Sequence, residues 1–200
     1  MKINSKKYKN ILEFYPEEYD FLISHCRQVT KLALQLFKQT KSLHSLNKKE
    51  KKYLLYASLL HDIGYKTDSI SHNKHSYQFI MNNPHLRWSK KTKKIVACIA
   101  RYHRGSFPKQ THKLFGKLSP KKQGVVTVLS ALLRIADGLD YTHQNTVKSL
   151  NVKIEKDTVI IEIIPAKDVI PKIDIDRAKK KSALFVSVFQ LKEVIFCLKD

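Results

Sequence analysis

His61 and Asp62 stand side by side at the end of an apolar run, in Leu59-Leu60-His61-Asp62-Ile63-Gly64. An imidazole and a carboxylate at such a point are costly to bury unless something compensates them. The pair can cap its own helix, or it can join donors from other segments around a metal ion. The dipeptide alone does not choose. Three further residues of the same kind, His25, His103 and Asp137, bear on the choice through the elements that carry them.

From Glu17 the pattern is helical. Leu22, His25, Val29, Leu32 and Leu36 recur at spacings of three and four, which places His25 on the core-facing stripe. A second helix is predicted from Asn47, with Glu50 completing a capping box, through Leu54, Ala57 and Leu60 to His61; Gly64 is its expected stop. After a polar loop over 66–71, His72-Asn73-Lys74-His75 leads into a short predicted helix over 76–82, ended by Pro84. The next helix covers 89–102, and its seam of Ile95, Val96 and Ile99 is continued in phase by His103. Residues 105–116 read as a loop. Ser119-Pro120 then opens a helix carrying Val126, Leu129 and Leu133, with Asp137 on the same stripe.

Near residue 146 the period changes from 3.6 to 2. Residues 147–154 and 158–164 alternate as strands around Glu155-Lys156-Asp157 and predict a hairpin. A basic helix over 176–189 and a last strand over 194–198 complete a small α+β unit. The expected fold is therefore mainly α: a helical domain over 1–145, whose first 16 residues form an arm, with a small C-terminal unit of antiparallel strands and one helix over 146–200 packed on it.

His25, His61, Asp62, His103 and Asp137 thus lie on or beside core seams of separate helices that are otherwise lined by Leu, Ile and Val. One such histidine is ordinary. Five such groups from four helices are hard to satisfy except around a shared cation, which offsets carboxylate desolvation and takes up neutral imidazoles. A mixed His and Asp set also leaves coordination positions open to water, as a catalytic site requires.

His25, His61-Asp62 and Asp137 resemble the ligand set of the HD-domain metal-dependent phosphohydrolase superfamily. The blocks Leu59 to Gly64, Lys74-His75-Ser76-Tyr77, Ile99 to Arg104 and Leu132 to Asp140 are similar to the C-terminal HD domain of the exopolyphosphatase/guanosine-pentaphosphate phosphatase (Ppx/GppA) family. The hairpin and Ala183 to Phe189 extend the likeness over roughly residues 17–198. The resemblance implies a helical HD bundle in which His25, His61, Asp62 and Asp137 hold one divalent ion, with Asp62, His61 and Asp137 as the catalytic core. It further implies that Asp62 bridges to a second ion held by His75 and His103, the ions activating a water for attack on a phosphate. Manganese, iron, zinc, nickel, cobalt and, at an oxygen-rich position, magnesium all suit such ligands. His72 is a spare that reads as a ligand, a phosphate contact or, in preference, a loop residue. Lys66, Lys74, Arg101, Arg104 and Arg134 flank the motifs and are candidate phosphate contacts, because cationic donors pair strongly with phosphate; for Arg134, three residues before Asp137 on the same helix, an ion pair supporting that carboxylate is an equal reading. Asp140 and His143 either reach the substrate or order the loop after the last helix.

The family's full-length members hydrolyse polyphosphate and pentaphosphates in N-terminal actin-like domains, which these 200 residues do not include, so that activity does not carry over with the resemblance. A further departure is Arg177-Ala178-Lys179-Lys180-Lys181, where relatives often have acidic and aromatic residues. The expected function is hydrolysis of a phosphate ester or anhydride of a nucleotide, an alarmone or polyphosphate. The alternative is a non-catalytic module that binds polyphosphate or nucleic acid.

Composition bounds these readings. With 38 Lys+Arg against 17 Asp+Glu, the net charge of +21 favours polyanions, although lysines spread along the whole chain also suit a plain solvated surface. A hydrophobic content of 42% fits a globular protein, and no run is long and apolar enough to span a bilayer. Cys26, Cys98 and Cys197 show no paired spacing, which favours free thiols in a reducing cytoplasm. An exposed strand edge in the C-terminal unit would offer a surface for a homodimer.

Overall fold

The structure, a computed structural model, describes residues 10–199. A 3-10 turn at Glu17–Tyr19 leads into α1 (Asp20–Gln39), followed by the short α2 (Lys41–His44). Leu22, Val29, Leu32 and Leu36 are buried along α1, and the helix closes where Thr40 returns both its N–H and its hydroxyl to the Leu36 carbonyl. The helix α3 (Lys48–Leu60) starts on the expected capping box: Asn47 accepts from the Lys49 N–H at 3.0 Å and Glu50 from the Asn47 N–H at 3.2 Å.

A 3-10 turn at Ile63–Lys66 separates α3 from α4 (His72–Asn82). The Asp68 carboxylate accepts from the backbone N–H groups of Ile70 at 2.8 Å and Ser71 at 3.1 Å, and so folds the loop into a helix start. The helix therefore begins at His72, four residues before the expected start at Ser76. The next helices are α5 (Lys90–Arg101), capped by Ser89 accepting from Thr92 at 3.2 Å, and α6 (Pro120–Gly138), with proline at its first position.

Packing assembles these helices around one core. α1 packs on α3 and α6, α3 on α5, and α5 on both α4 and α6. Leu32, Leu54, Leu59, Ile99, Leu129 and Leu132 are fully buried at these contacts. Truncating any one to alanine costs about 2–5 kcal/mol, a large share of a domain's stability, so the bundle is a stiff platform for polar groups. Ile11, Leu12 and Tyr15 are buried as well, and the Tyr15 hydroxyl donates to the Leu59 carbonyl at 3.0 Å. The later part of the expected arm thus belongs to the core; residues 1–9 lie outside the described residues.

The C-terminal unit holds β1 (Val147–Glu155), β2 (Thr158–Pro165), α7 (Lys172–Lys181), α8 (Ala183–Phe189) and β3 (Glu193–Leu198), with the sheet ordered β1-β2-β3. The hairpin pairs Leu150 with Ile163 and Ile154 with Val159, and its turn places Lys156 at φ +48°. Two details differ from expectation. The single helix expected over 176–189 is divided at Ser182 into α7 and α8. The last strand joins β2 in parallel, because the helical crossover returns the chain to the same end of the sheet. Part of the outer edge of β1 is covered: Gln35 and Gln39 of α1 bond the backbone of Leu150 and Val152 at 2.9–3.0 Å. All three cysteines are free thiols, and among the described residues no helix is long and apolar enough to cross a membrane.

Candidate metal centre

The bundle aims six buried donors at one place. His25 enters from the stripe of α1, His61 and Asp62 follow the last turn of α3, and Asp137 comes from the end of α6. His103 follows α5, and His72 is the first residue of α4. Each imidazole is anchored through Nδ1. That atom lies 2.8 Å from Asp140 Oδ2 in His25, 2.8 Å from the Ser58 carbonyl in His61, 2.7 Å from the Ser69 carbonyl in His72 and 2.7 Å from the Ala100 carbonyl in His103. Carbonyl and carboxylate oxygens accept, so each Nδ1 carries the proton and each Nε2 is turned inward.

The inward atoms converge in two halves. The Nε2 atoms of His25 and His61 are 3.3 Å apart, and those of His72 and His103 are 3.2 Å apart. Asp62 lies between the halves: Oδ1 is 3.1 Å from His72 Nε2 and 3.5 Å from the Nε2 atoms of both His61 and His103, while Oδ2 is 3.7 Å from His25 Nε2. Asp137 Oδ1 closes the first half at 3.4 Å from His25 and 3.7 Å from His61. Asp62 Oδ1 is buried and has no hydrogen-bond donor. A buried orphan carboxylate oxygen beside paired inward nitrogens is unfavourable for a purely structural cluster, and it suits cations. His25, His61 and Asp62 form one triad able to hold an ion, and Asp62, His72 and His103 form another.

The same charges set where protons sit. Burial pushes His25 down, but Asp137, Asp140 and Asp62 outweigh it and raise the imidazole to about 10. Burial likewise opposes the charged form of His61, and Asp62 above all lifts it well above the ordinary range. His103 goes well below that range through burial and the neighbouring His61. Burial acts to raise both carboxylates, yet His61 chiefly for Asp62, and Lys181 chiefly for Asp137, hold them below the usual carboxylate range.

Two glycines allow the close packing that builds this site. A Cβ on Gly64 would lie 2.2 Å from the His72 carbonyl and 2.4 Å from the Ser76 nitrogen, so only glycine lets α4 press against the turn after Asp62. Ser76 rivets the contact, accepting from the Gly64 N–H at 2.9 Å and donating to the His61 carbonyl at 2.6 Å. Gly138 plays the same part for the C-terminal unit, since a Cβ there would meet Ala178 Cα of α7 at 2.6 Å. That approach brings Lys181 into an ion pair with Asp137 Oδ2. Asp174 of α7 accepts from the Thr142 N–H at 2.8 Å and ties down the loop after α6.

A cavity of about 710 Å³ opens onto the cluster, with Asp62, His72, His103 and Asp137 on its wall beside Arg104, Arg177 and Lys181. The family model of Ppx/GppA phosphatase, domain III, matches residues 12–179. The chain belongs to this family. No individual curated protein matches it. The Ppx/GppA match takes in all six clustered donors and stops two residues before Lys181.

Of the ligands expected from the sequence of this Ppx/GppA domain, His25, His61, Asp62, His103 and Asp137 come together, and His75 does not. His75 sits at the wrong phase of α4: its Nε2 is 3.8 Å from Asp68, and its partly exposed ring lines a separate depression. His72 takes that place in the cluster, which fits the ligand alternative for this residue and not the preferred loop reading. The missed signal is the spacing His72, Ser76, Ile80, a buried stripe at intervals of four. Among the expected phosphate contacts, Arg104 lines the cavity, with Nη1 3.2 Å from His72 Nδ1. Lys66 and Lys74 are exposed away from it, with Lys66 lying over the Phe79 ring, and Arg101 is also off the cavity wall. Arg134 is buried and donates to the carbonyls of Tyr102 at 3.0 Å and Gly105 at 3.2 Å, so it clamps the loop after His103 instead of facing solvent. Asp140 proves to orient His25, and His143, at φ +58°, stacks on the His25 ring with centroids 3.9 Å apart.

Proposed function

We propose that the chain is a divalent-metal-dependent phosphohydrolase of the HD type, cleaving a phosphate ester or anhydride of a small phosphorylated substrate such as a nucleotide, an alarmone or polyphosphate. The observation that carries this reading is Asp62 Oδ1, buried without a donor and placed between two imidazole pairs that all present Nε2. His25, His61, Asp62 and Asp137 would hold one ion, and Asp62, His72 and His103 a second. Such ions supply a lowered pKa to water and positive charge for phosphoryl oxygens.

The protein's own groups do the rest. The four Nδ1 anchors fix tautomer and ring direction, so the donors are arranged before substrate arrives. Asp62 shares one carboxylate between the halves and keeps them in register. Both Asp62 and Asp137 stay ionised, which makes them acceptors only. Arg104 stands beside His72 on the cavity wall, where its guanidinium can face a phosphate leaving group or ester oxygen. The matched family model is that of domain III of a phosphatase, and since the family's known hydrolysis lies in its actin-like domains, the reading rests on the donor cluster itself.

The decisive test is elemental analysis of purified protein together with a hydrolysis screen over nucleotides, alarmones and polyphosphate. Retained transition metal and turnover are expected in the wild type, and both are lost in Asp62→Ala. Full hydrolysis by metal-free Asp62→Ala protein would refute the proposal. Tight, steeply salt-dependent polyanion binding without turnover, unchanged by Asp62→Ala, would favour the binding module instead.

A further inference from the structure

Two cations on the cavity wall come from outside the helical bundle. Arg177 and Lys181 are four residues apart on α7, so they share one face of that helix. Their position is built, since Gly138 admits the α7 backbone to within a distance at which any Cβ would clash. Asp174, buried on the same helix, holds the adjoining loop through Thr142 and Thr146.

Each cation also has donors to spare. Lys181 meets Asp137 Oδ2, whereas Asp137 Oδ1 faces His25 and His61, so the carboxylate is divided between the ligand cluster and the lysine. An ammonium has three donors, and this pair uses one of them. The Arg177 guanidinium lies over the Tyr141 ring at 4.1 Å, a stacking contact that leaves its N–H edge free. Among the described residues Arg177 has no carboxylate within ion-pair distance. Of the carboxylates on this wall, Asp62 is directed into the donor cluster and Asp137 is shared between that cluster and Lys181, so Arg177 faces the cavity with no acidic partner and Lys181 with donors left over.

We infer that Arg177 and Lys181 form an anion-holding subsite for the phosphoryl group, with Lys181 binding that group while it orients Asp137, so that the C-terminal unit completes the active site. This rests on the phosphohydrolase reading above. It assigns substrate contact to α7, and it gives the basic run 177–181 a chemical task in place of a general surface charge. Its two members differ in kind: Arg177, stacked on Tyr141, has the anion as its charged partner, whereas Lys181 also positions a ligand carboxylate.

The probe is inorganic phosphate, titrated calorimetrically into full-length protein after reconstitution with manganese, with metal content measured on every sample. Arg177→Met is expected to weaken phosphate binding by about tenfold or more at unchanged metal content, as loss of a charge-assisted contact implies. Lys181→Met is expected to weaken phosphate binding and also to lower metal retention, and Lys181→Arg to restore most of both. On any substrate turned over, Arg177→Met should raise KM more than it lowers kcat. Phosphate affinity unchanged in both methionine variants, or no phosphate binding by the wild type, overturns the inference. If those variants keep wild-type affinity while hydrolysis still needs metal and Asp62, the subsite fails and the phosphohydrolase reading stands. If phosphate binding depends on Arg177 and Lys181 in a protein that neither keeps metal nor hydrolyses, the subsite stands and that reading fails.

Discussion

Replacing His72 and His75 separately by alanine separates two histidines three residues apart on one helix. His72 is buried, with Nε2 3.1 Å from Asp62 Oδ1 and 3.2 Å from His103 Nε2. Four-ligand protein sites bind zinc with an apparent ~10–16 kcal/mol, so one imidazole accounts for roughly 3 kcal/mol, on the order of a hundredfold in affinity. His72→Ala also leaves Asp62 Oδ1 with one fewer neighbour able to share a cation. The His75 side chain is 29% exposed and only 3.8 Å from an exposed Asp68, so His75→Ala should shift stability by less than about 0.5 kcal/mol and leave the metal alone. The assay is metal content after dialysis against a graded chelator series, paired with hydrolysis at saturating metal. His72→Ala should lose an ion at about a hundredfold lower chelator strength, and His75→Ala should track the wild type. Metal loss in His75→Ala with full retention in His72→Ala would refute the two-half arrangement.

Gly64→Ala inserts a methyl group about 1.2 Å inside ordinary contact with the His72 carbonyl, whose distance would be 2.2 Å against a normal 3.4 Å. It should cost about 1–3 kcal/mol in chemical denaturation and weaken the His72–His103 half more than the His25–His61 half, as metal stoichiometry would show. Asp140→Asn sets an amide where one oxygen accepts from His25 Nδ1 and the other from the Asn145 N–H, so one donor always meets a donor. A loss of about 10–100-fold in metal affinity with little change in fold is expected, read by competition with a chromogenic chelator. In metal-free protein, raised His25 and His61 stabilise the fold fully below about pH 6.5; the His25 contribution is lost as pH rises through about 10, and that of His61 as pH rises through its own raised value. The depressed Asp62 and Asp137 contribute above their unfolded values near 4 and lose that contribution as pH falls further. His103, held well below its ordinary range, works the other way and costs stability as pH falls below about 6.5, so thermal melts of the metal-free protein should be highest at about pH 6.5, and metal uptake near pH 7 should release protons, measurable by calorimetry in buffers of different ionisation enthalpy.

Helix phase was enough to find most of the centre. A histidine or aspartate on a stripe of leucines must face the core, so spacing turned His25, His61, His103 and Asp137 inward with Asp62 beside the seam, and it also indicated the mainly α bundle with its small α+β unit, while the resemblance singled out the His-Asp pair. Two choices lay beyond that information. The resemblance favours His75 over His72, and the spacing of His72, Ser76 and Ile80 is too weak a stripe to reverse that choice by itself. The register of α4 against the turn at Gly64 selects one of them, and that register depends on an Asp68 turn and a backbone approach that only glycine permits. Lys181 follows Asp137 by 44 residues, with a hairpin and a loop between them, and no local pattern relates the two. Only the docking of α7 on Gly138 brings an ammonium to that carboxylate. Periodicity reports which way a side chain faces along its own element, whereas the meeting of groups from different elements is set by how closely two backbones can approach.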